Sequence, residues 1–180
     1  MTRRLGTCLG VLLLVVLTGC NDDDSDDRAK VSTSSAAKPA KLSIHPVVAI
    51  ASGVNAEPSR QGGVVLEDPD RKQILELGPP ELVANDISSA RAEIPDNSVD
   101  WLIMLDFNHQ GDQKFGELTA TAACAEPPAN QIAIVIDDEI VSAPVVQVEC
   151  GKQLDDGTQI SGGFTKDSAE ELAERINRDR

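Results

Sequence analysis

The stretch Asn130-Gln131-Ile132-Ala133-Ile134-Val135-Ile136-Asp137-Asp138-Glu139-Ile140-Val141-Ser142-Ala143-Pro144 decides the fold. Gln131 to Ile136 is almost continuously apolar, without the alternation of a half-exposed strand. It therefore predicts a strand covered on both faces. Asp137-Asp138-Glu139 interrupts the run as a turn, and apolar character resumes from Ile140 to Val148. Pro144 has no N–H, so this second strand belongs at a sheet edge or carries a bulge. An edge strand presents unpaired backbone groups, and Val141, Ala143 and Val145 are its candidate partner-binding positions.

Upstream, Ala90, Ala92 and Ile94 alternate with Arg91 and Glu93, as in a half-buried strand. Pro95-Asp96-Asn97 supplies a turn, and Trp101, Ile103, Leu105 and Phe107 then share one face of the next strand. Gly111 to Ala123 reads as a helix, with Phe115, Leu118 and Ala122 on one stripe. His109 falls in the turn before it, where a solvated role is expected. Shorter strands are expected at His45 to Ala51, Val64 to Leu66 and Gln73 to Leu77, the last two around Asp68-Pro69-Asp70. Downstream, Thr158 to Gly163 is a last strand and Thr165 caps a final helix. Ala169, Leu172, Ala173 and Ile176 form the apolar face of that helix, with Leu172 and Ile176 as anchors. The sum is an α+β domain: an antiparallel sheet with two helices packed on one face.

The N-terminus reads as an address. Arg3 and Arg4 precede Leu5 to Leu17, a mostly apolar run shorter than the roughly 20 residues of a spanning helix. The run ends in Leu17-Thr18-Gly19-Cys20, which resembles the lipobox of bacterial lipoproteins. The expectation is a signal peptide over 1–19 and lipidation at Cys20, holding the protein to the outer face of the cytoplasmic membrane. Residues 20–41 follow as an acidic, Ser/Ala/Pro-rich linker, and residues 42–180 as the domain. Asp22, Asp24 and Asp26 have the opening spacing of a calcium loop. Asp27 stands where that loop needs Gly and Thr33 where it needs Glu, so no metal is expected.

Sixteen basic residues against 30 acidic ones argue against a nucleic-acid partner, whose phosphates need Lys/Arg stripes. Four aromatic rings, Trp101, Phe107, Phe115 and Phe164, are too few for a base-stacking platform. Cys124 and Cys150 remain after the signal segment. Outside the cytoplasm a disulfide is the simplest reading of such a pair, against free thiols or a two-Cys metal site.

Residues 78–176 resemble the head subdomain of the first periplasmic domain of SecD/SecDF, a family of protein-export membrane proteins. Leu77-Gly78-Pro79, Asp86-Ile87 and Ala90 resemble its first strand, and Phe107 with Phe115-Gly116-Glu117-Leu118-Thr119 its strand end and helix. Asn130 to Asp137 with Val141-Ser142-Ala143-Pro144 is similar to its hairpin. Ile160-Ser161-Gly162-Gly163-Phe164-Thr165, Ala169 and Leu172-Ala173 are similar to its last strand and helix. The chain departs from the family in the turn, where Asp137-Asp138 replaces Asp-Gly, implying a looser or different turn. It also departs in lacking the family's membrane helices and their carboxylates. The resemblance implies a non-catalytic, lipid-anchored, extracytoplasmic protein that binds exported polypeptides or Sec components, without cofactor or small-molecule substrate. The rivals are a structural or adhesive surface lipoprotein, and an envelope hydrolase pairing Asp106 with Asp137 or Asp138.

Overall fold

The computed structural model describes residues 40–96, 98–154 and 157–180. The signal segment, Cys20 and the linker through residue 39 lie outside the described residues. In chain order the elements are β1 (Leu42–Ile50), β2 (Val64–Asp68), β3 (Gln73–Leu77), β4 (Leu82–Val83), β5 (Ile87–Glu93), β6 (Trp101–Phe107), α1 (His109–Ala123), β7 (Ile132–Ile136), β8 (Glu139–Ser142), β9 (Thr158–Phe164) and α2 (Lys166–Asp179).

The class is α+β with antiparallel pairing throughout, and the strands divide between two sheets. The larger runs β2-β3-β1-β7-β8 with β4 also on β1, and the smaller runs β5-β6-β9. β1 is the central strand of the larger sheet. Leu42 to Pro46 pair with Ile136 to Ile132 of β7 on one edge. On the other edge Ser43 and Ile44 meet β4, and Val47 to Ile50 meet β3. The break between β3 and β4 falls at Gly78-Pro79-Pro80, where neither proline donates to a ladder. The Gly78 N–H bonds the Pro46 carbonyl across that break.

Both faces of β7 are covered, and its period of two explains how. Ile132, Ile134 and Ile136 enter the main core with Leu42, Ile44, Ile103, Leu105, Phe115 and Ile176. Ala133 and Val135 enter a smaller core with Val47, Leu75, Leu77, Ile140 and Ala143. The turn after β7 is tight instead of loose. Asp137 and Asp138 have φ of 53° and 67°, and Ile136 pairs directly with Glu139. Positive φ at both central residues is what a two-residue type I′ hairpin requires. The left-handed cost to non-glycine residues is offset by local bonds. Arg175 pairs with Asp137, whose Oδ1 also accepts the Lys41 N–H at 3.1 Å.

Three expectations need correction. The fold begins before residue 42: Ala40 is fully buried, and its N–H bonds the Arg175 carbonyl. Composition marked Ala40 and Lys41 as linker because one small and one charged residue carry no apolar periodicity. β8 ends at Ser142 instead of running to Val148, because Pro144 uses its carbonyl on Ile132 but has no N–H to return. Leu172 is only half-buried, and Ala169, Ala173 and Ile176 carry the face of α2.

α1 begins at His109, so that residue opens a helix and does not sit in a turn. Asn108 Oδ1 accepts the N–H groups of Gln110 and Gly111 at 3.0 Å each, satisfying two of the free donors of the first turn. α2 starts with Thr165 and Ser168 in a reciprocal capping arrangement. No described helix is long and apolar enough to cross a membrane.

Candidate functional site

The three candidate edge positions do not form an open edge. Val141 is half-buried on β8. Ala143 is 3% exposed and belongs to the smaller core. Val145 makes only an isolated bridge to Gln131. The Ala143 carbonyl, the acceptor an added strand would use, is taken by Arg71 Nη1 at 3.0 Å. Arg71 comes from the turn between β2 and β3. That turn is built by Asp68, whose Oδ1 accepts the N–H groups of Asp70 and Arg71 while Oδ2 holds the guanidinium at 3.1 Å.

A groove of about 780 Å3 lies between β2 and the β1–β7 surface. Ser43 and His45 on β1, Val64 and Leu66 on β2, Val83 on β4 and Val135 on β7 line it. Val64 and Val83 are 38% and 41% exposed and face the same groove. Lys41, Asp138 and Asp179 mark the rim. A smaller recess of about 250 Å3 shares Leu66 and Asp138 with the groove and adds Glu67 and Glu139. Lys41 reaches Asp138 at 3.5 Å with both side chains largely exposed, a weak pairing.

The wall contains a buried polar pair. His45 is 5% exposed. Its Nδ1 lies 2.8 Å from the Gly78 carbonyl and its Nε2 2.9 Å from Ser43 Oγ. Burial lowers the His45 pKa, outweighing the Gly78 carbonyl and the charge of Glu81, which raise it. No chemistry-bearing motif marks these residues in the sequence. The available signal was Ser43-Ile44-His45 itself: two polar residues at alternate positions, hence on one face of an otherwise apolar strand.

The carboxylates of the hydrolase reading are not brought together. Asp106 sits on β6 of the smaller sheet, bonded to Ser89 and Arg91. Asp137 and Asp138 occupy the hairpin turn of the larger sheet, with Arg175 and Lys41. Among the described residues no group of three or more His, Cys, Asp or Glu side chains could hold a metal. Cys124 at the end of α1 and Cys150 are joined by a disulfide.

Residues 63–178 match the family model described as SecDF, P1 head subdomain. The protein translocase subunit SecD of Rhodobacter capsulatus is 33% identical over 138 residues, covering 74% of this chain and 23% of that protein. SecD of Streptomyces coelicolor is 36% identical over 78 residues, 43% of this chain and 13% of that protein. The chain thus spans less than a quarter of these relatives. Among solved structures, SecDF in its super-membrane-facing form superposes with a TM-score of 0.52 at 23% identity, over 76% of this chain and 18% of that one. A second, of a SecDF membrane component that enhances protein export, gives 0.51 at 22% identity, over 77% of this chain and 62% of that one. These likenesses agree with the antiparallel α+β fold. With the family model matched over well more than half of its residues, the chain belongs to the SecDF P1 head subdomain family.

Proposed function

We propose that this protein is a non-catalytic, lipid-anchored extracytoplasmic factor that binds extended polypeptides in the groove beside β1, in connection with protein export. The observation that carries the reading is the groove itself, on a SecDF head fold. Its walls are mostly apolar, Val64 and Val83 are partly exposed there, and carboxylates mark its rim. Residues 40–180 hold 11 basic and 25 acidic side chains, so a segment that is apolar with Lys or Arg nearby complements both wall and rim. The β8 edge is the weaker candidate, because Arg71 and the burial of Ala143 already occupy it.

The anchor is Cys20, and the setting is the outer face of the cytoplasmic membrane. The disulfide between Cys124 and Cys150 suits an oxidising compartment. Export components and exported chains are the proposed partners. Mass spectrometry of the mature N-terminus tests the anchor: a diacylated Cys20 supports it, and an unmodified start elsewhere removes it. Fluorescence titration of an unfolded, labelled polypeptide tests the groove. The expected result is saturable binding that Val83→Asp weakens at least tenfold. Equal binding by both proteins refutes it.

A further inference from the structure

The hydrogen-bond chemistry of Ser43 and His45 fixes what the groove wall offers a ligand. A backbone carbonyl only accepts, so the nitrogen facing Gly78, His45 Nδ1, carries the proton. Burial keeps the ring neutral near pH 7, leaving a lone pair on Nε2. Ser43 Oγ stands 2.9 Å from that lone pair and has one proton to give. The hydroxyl proton is therefore committed to the ring. Ser43 faces the groove as an acceptor only, with Val64, Leu66, Val83 and Val135 around it and Asn85 as a further polar side chain of the lining.

We infer that Ser43 is the polar anchor of the groove, accepting a hydrogen bond from a backbone N–H of the bound polypeptide, with His45 as the positioning residue that turns the hydroxyl. This rests on the polypeptide-binding reading and names the contact within it. Protonation of His45 reverses the arrangement. Nε2–H then donates to Ser43 Oγ, the hydroxyl proton turns outward, and a donor meets the ligand's donor. A buried cation also appears beneath an apolar segment. The charged groups around the ring are Glu81, between β3 and β4, and Lys41, Asp138 and Asp179 at the rim. The Gly78 carbonyl and the Glu81 carboxylate favour the cation, and burial opposes it more strongly. Binding therefore weakens as the pH falls through the folded pKa of His45, which burial sets below the ordinary value.

The test uses the complete mature protein and a fluorescein-labelled, Leu- and Val-rich nonapeptide ending in two lysines. Eight further peptides each carry one ester in place of a backbone amide, which deletes a single N–H. One ester position should weaken binding about 3–10-fold, the scale of one net hydrogen bond. Ser43→Ala should lose a similar factor and abolish the ester effect, and Ser43→Thr should restore both. Wild-type affinity should fall as the pH is lowered through the folded pKa of His45, and the fall should flatten in His45→Gln. Nitrogen-15 spectra of the unliganded protein should show the proton on Nδ1, a readout that needs no ligand.

The proton on Nε2 overturns the inference. So does insensitivity to every ester together with full binding by Ser43→Ala. Val83→Asp separates the two levels: if it abolishes binding while Ser43→Ala does not, only the Ser43 contact is wrong. If Val83→Asp binds normally, the groove reading fails and the inference with it.

Discussion

Arg71 Nη1 donates to the carbonyl of Ala143 at 3.0 Å, tying the β2–β3 turn to the end of β8. The same nitrogen holds Asp68, whose side chain is 1% exposed. One guanidinium thus satisfies a buried carboxylate and fills the acceptor that a strand-adding partner would need. Long unprotected edges invite unwanted pairing, and this contact blunts one.

Arg71→Met should therefore destabilise the domain by about 1–3 kcal/mol, since it leaves a charge-assisted bond unmade. The partly exposed Arg71 holds the figure toward the lower end. Urea unfolding measures the loss. The variant should also bind strand-forming probes along β8 better than wild type does. An unchanged unfolding midpoint would show that the clasp contributes nothing.

A second edge is closed by a side chain. Asn177 Oδ1 accepts the Ala90 N–H at 3.0 Å, and Asn177 Nδ2 donates to the Ala90 carbonyl at 2.8 Å. The amide imitates a neighbouring strand along β5 and fastens α2 to the smaller sheet. Asn177→Leu leaves both backbone groups without partners and should cost about 1–3 kcal/mol. Hydrogen exchange at Ala90 should accelerate in the variant, by more than in β6. Equal exchange in the two proteins would remove this role from Asn177.

The packing of α1 depends on a missing side chain. A Cβ on Gly111 would stand 2.2 Å from the Asp86 carbonyl oxygen. That oxygen bonds the Asn108 N–H at 3.0 Å, and the Asp86 carboxylate, 4% exposed, holds Lys114 at 2.8 and 2.9 Å. Gly111→Ala must push the helix off this hub, at a cost of about 1–3 kcal/mol or more. Thermal unfolding checks it, with a lowered midpoint expected. A wild-type midpoint would mean that α1 shifts freely.

His45 gives stability a pH dependence whose sign follows from its pKa. Burial sets the folded value below 6.5, so the unfolded chain binds more protons between the two values. Stability is fully present above the unfolded value, falls as the pH drops from about 6.5 to the folded pKa, and loses no more to this group below it. Urea midpoints at pH 7.5 and 5 should differ more in wild type than in His45→Gln. An identical difference in both would show that the ring does not titrate on unfolding.

Much of the fold is legible in the sequence because its signals are periodic. The apolar run of β7, the stripe of Phe115, Leu118 and Ala122, and the cap at Thr165 all reappear as structure. What could not be read was non-local. That β5, β6 and β9 form a sheet of their own depends on β9 pairing with β6 across about fifty residues of sequence, which no local pattern encodes. Intrinsic preference disfavours a tight turn at Asp137-Asp138, and partners from residues 41 and 175 override it. The edge of β8 looked open because Arg71 lies 72 positions from Ala143. The groove was invisible for the same reason: Val64, Val83 and Val135 meet only after folding.

The most direct test of the central claim is site-specific photo-crosslinking. A benzophenone amino acid replaces Val83 in the groove, Val141 on β8, or Arg91 on the polar face of the smaller sheet. The probes are then activated in cells holding a defined secreted polypeptide stalled during export. The account predicts an adduct with that polypeptide from position 83, little from position 141 and none from position 91. No adduct from position 83, or equal yields from all three positions, would contradict it.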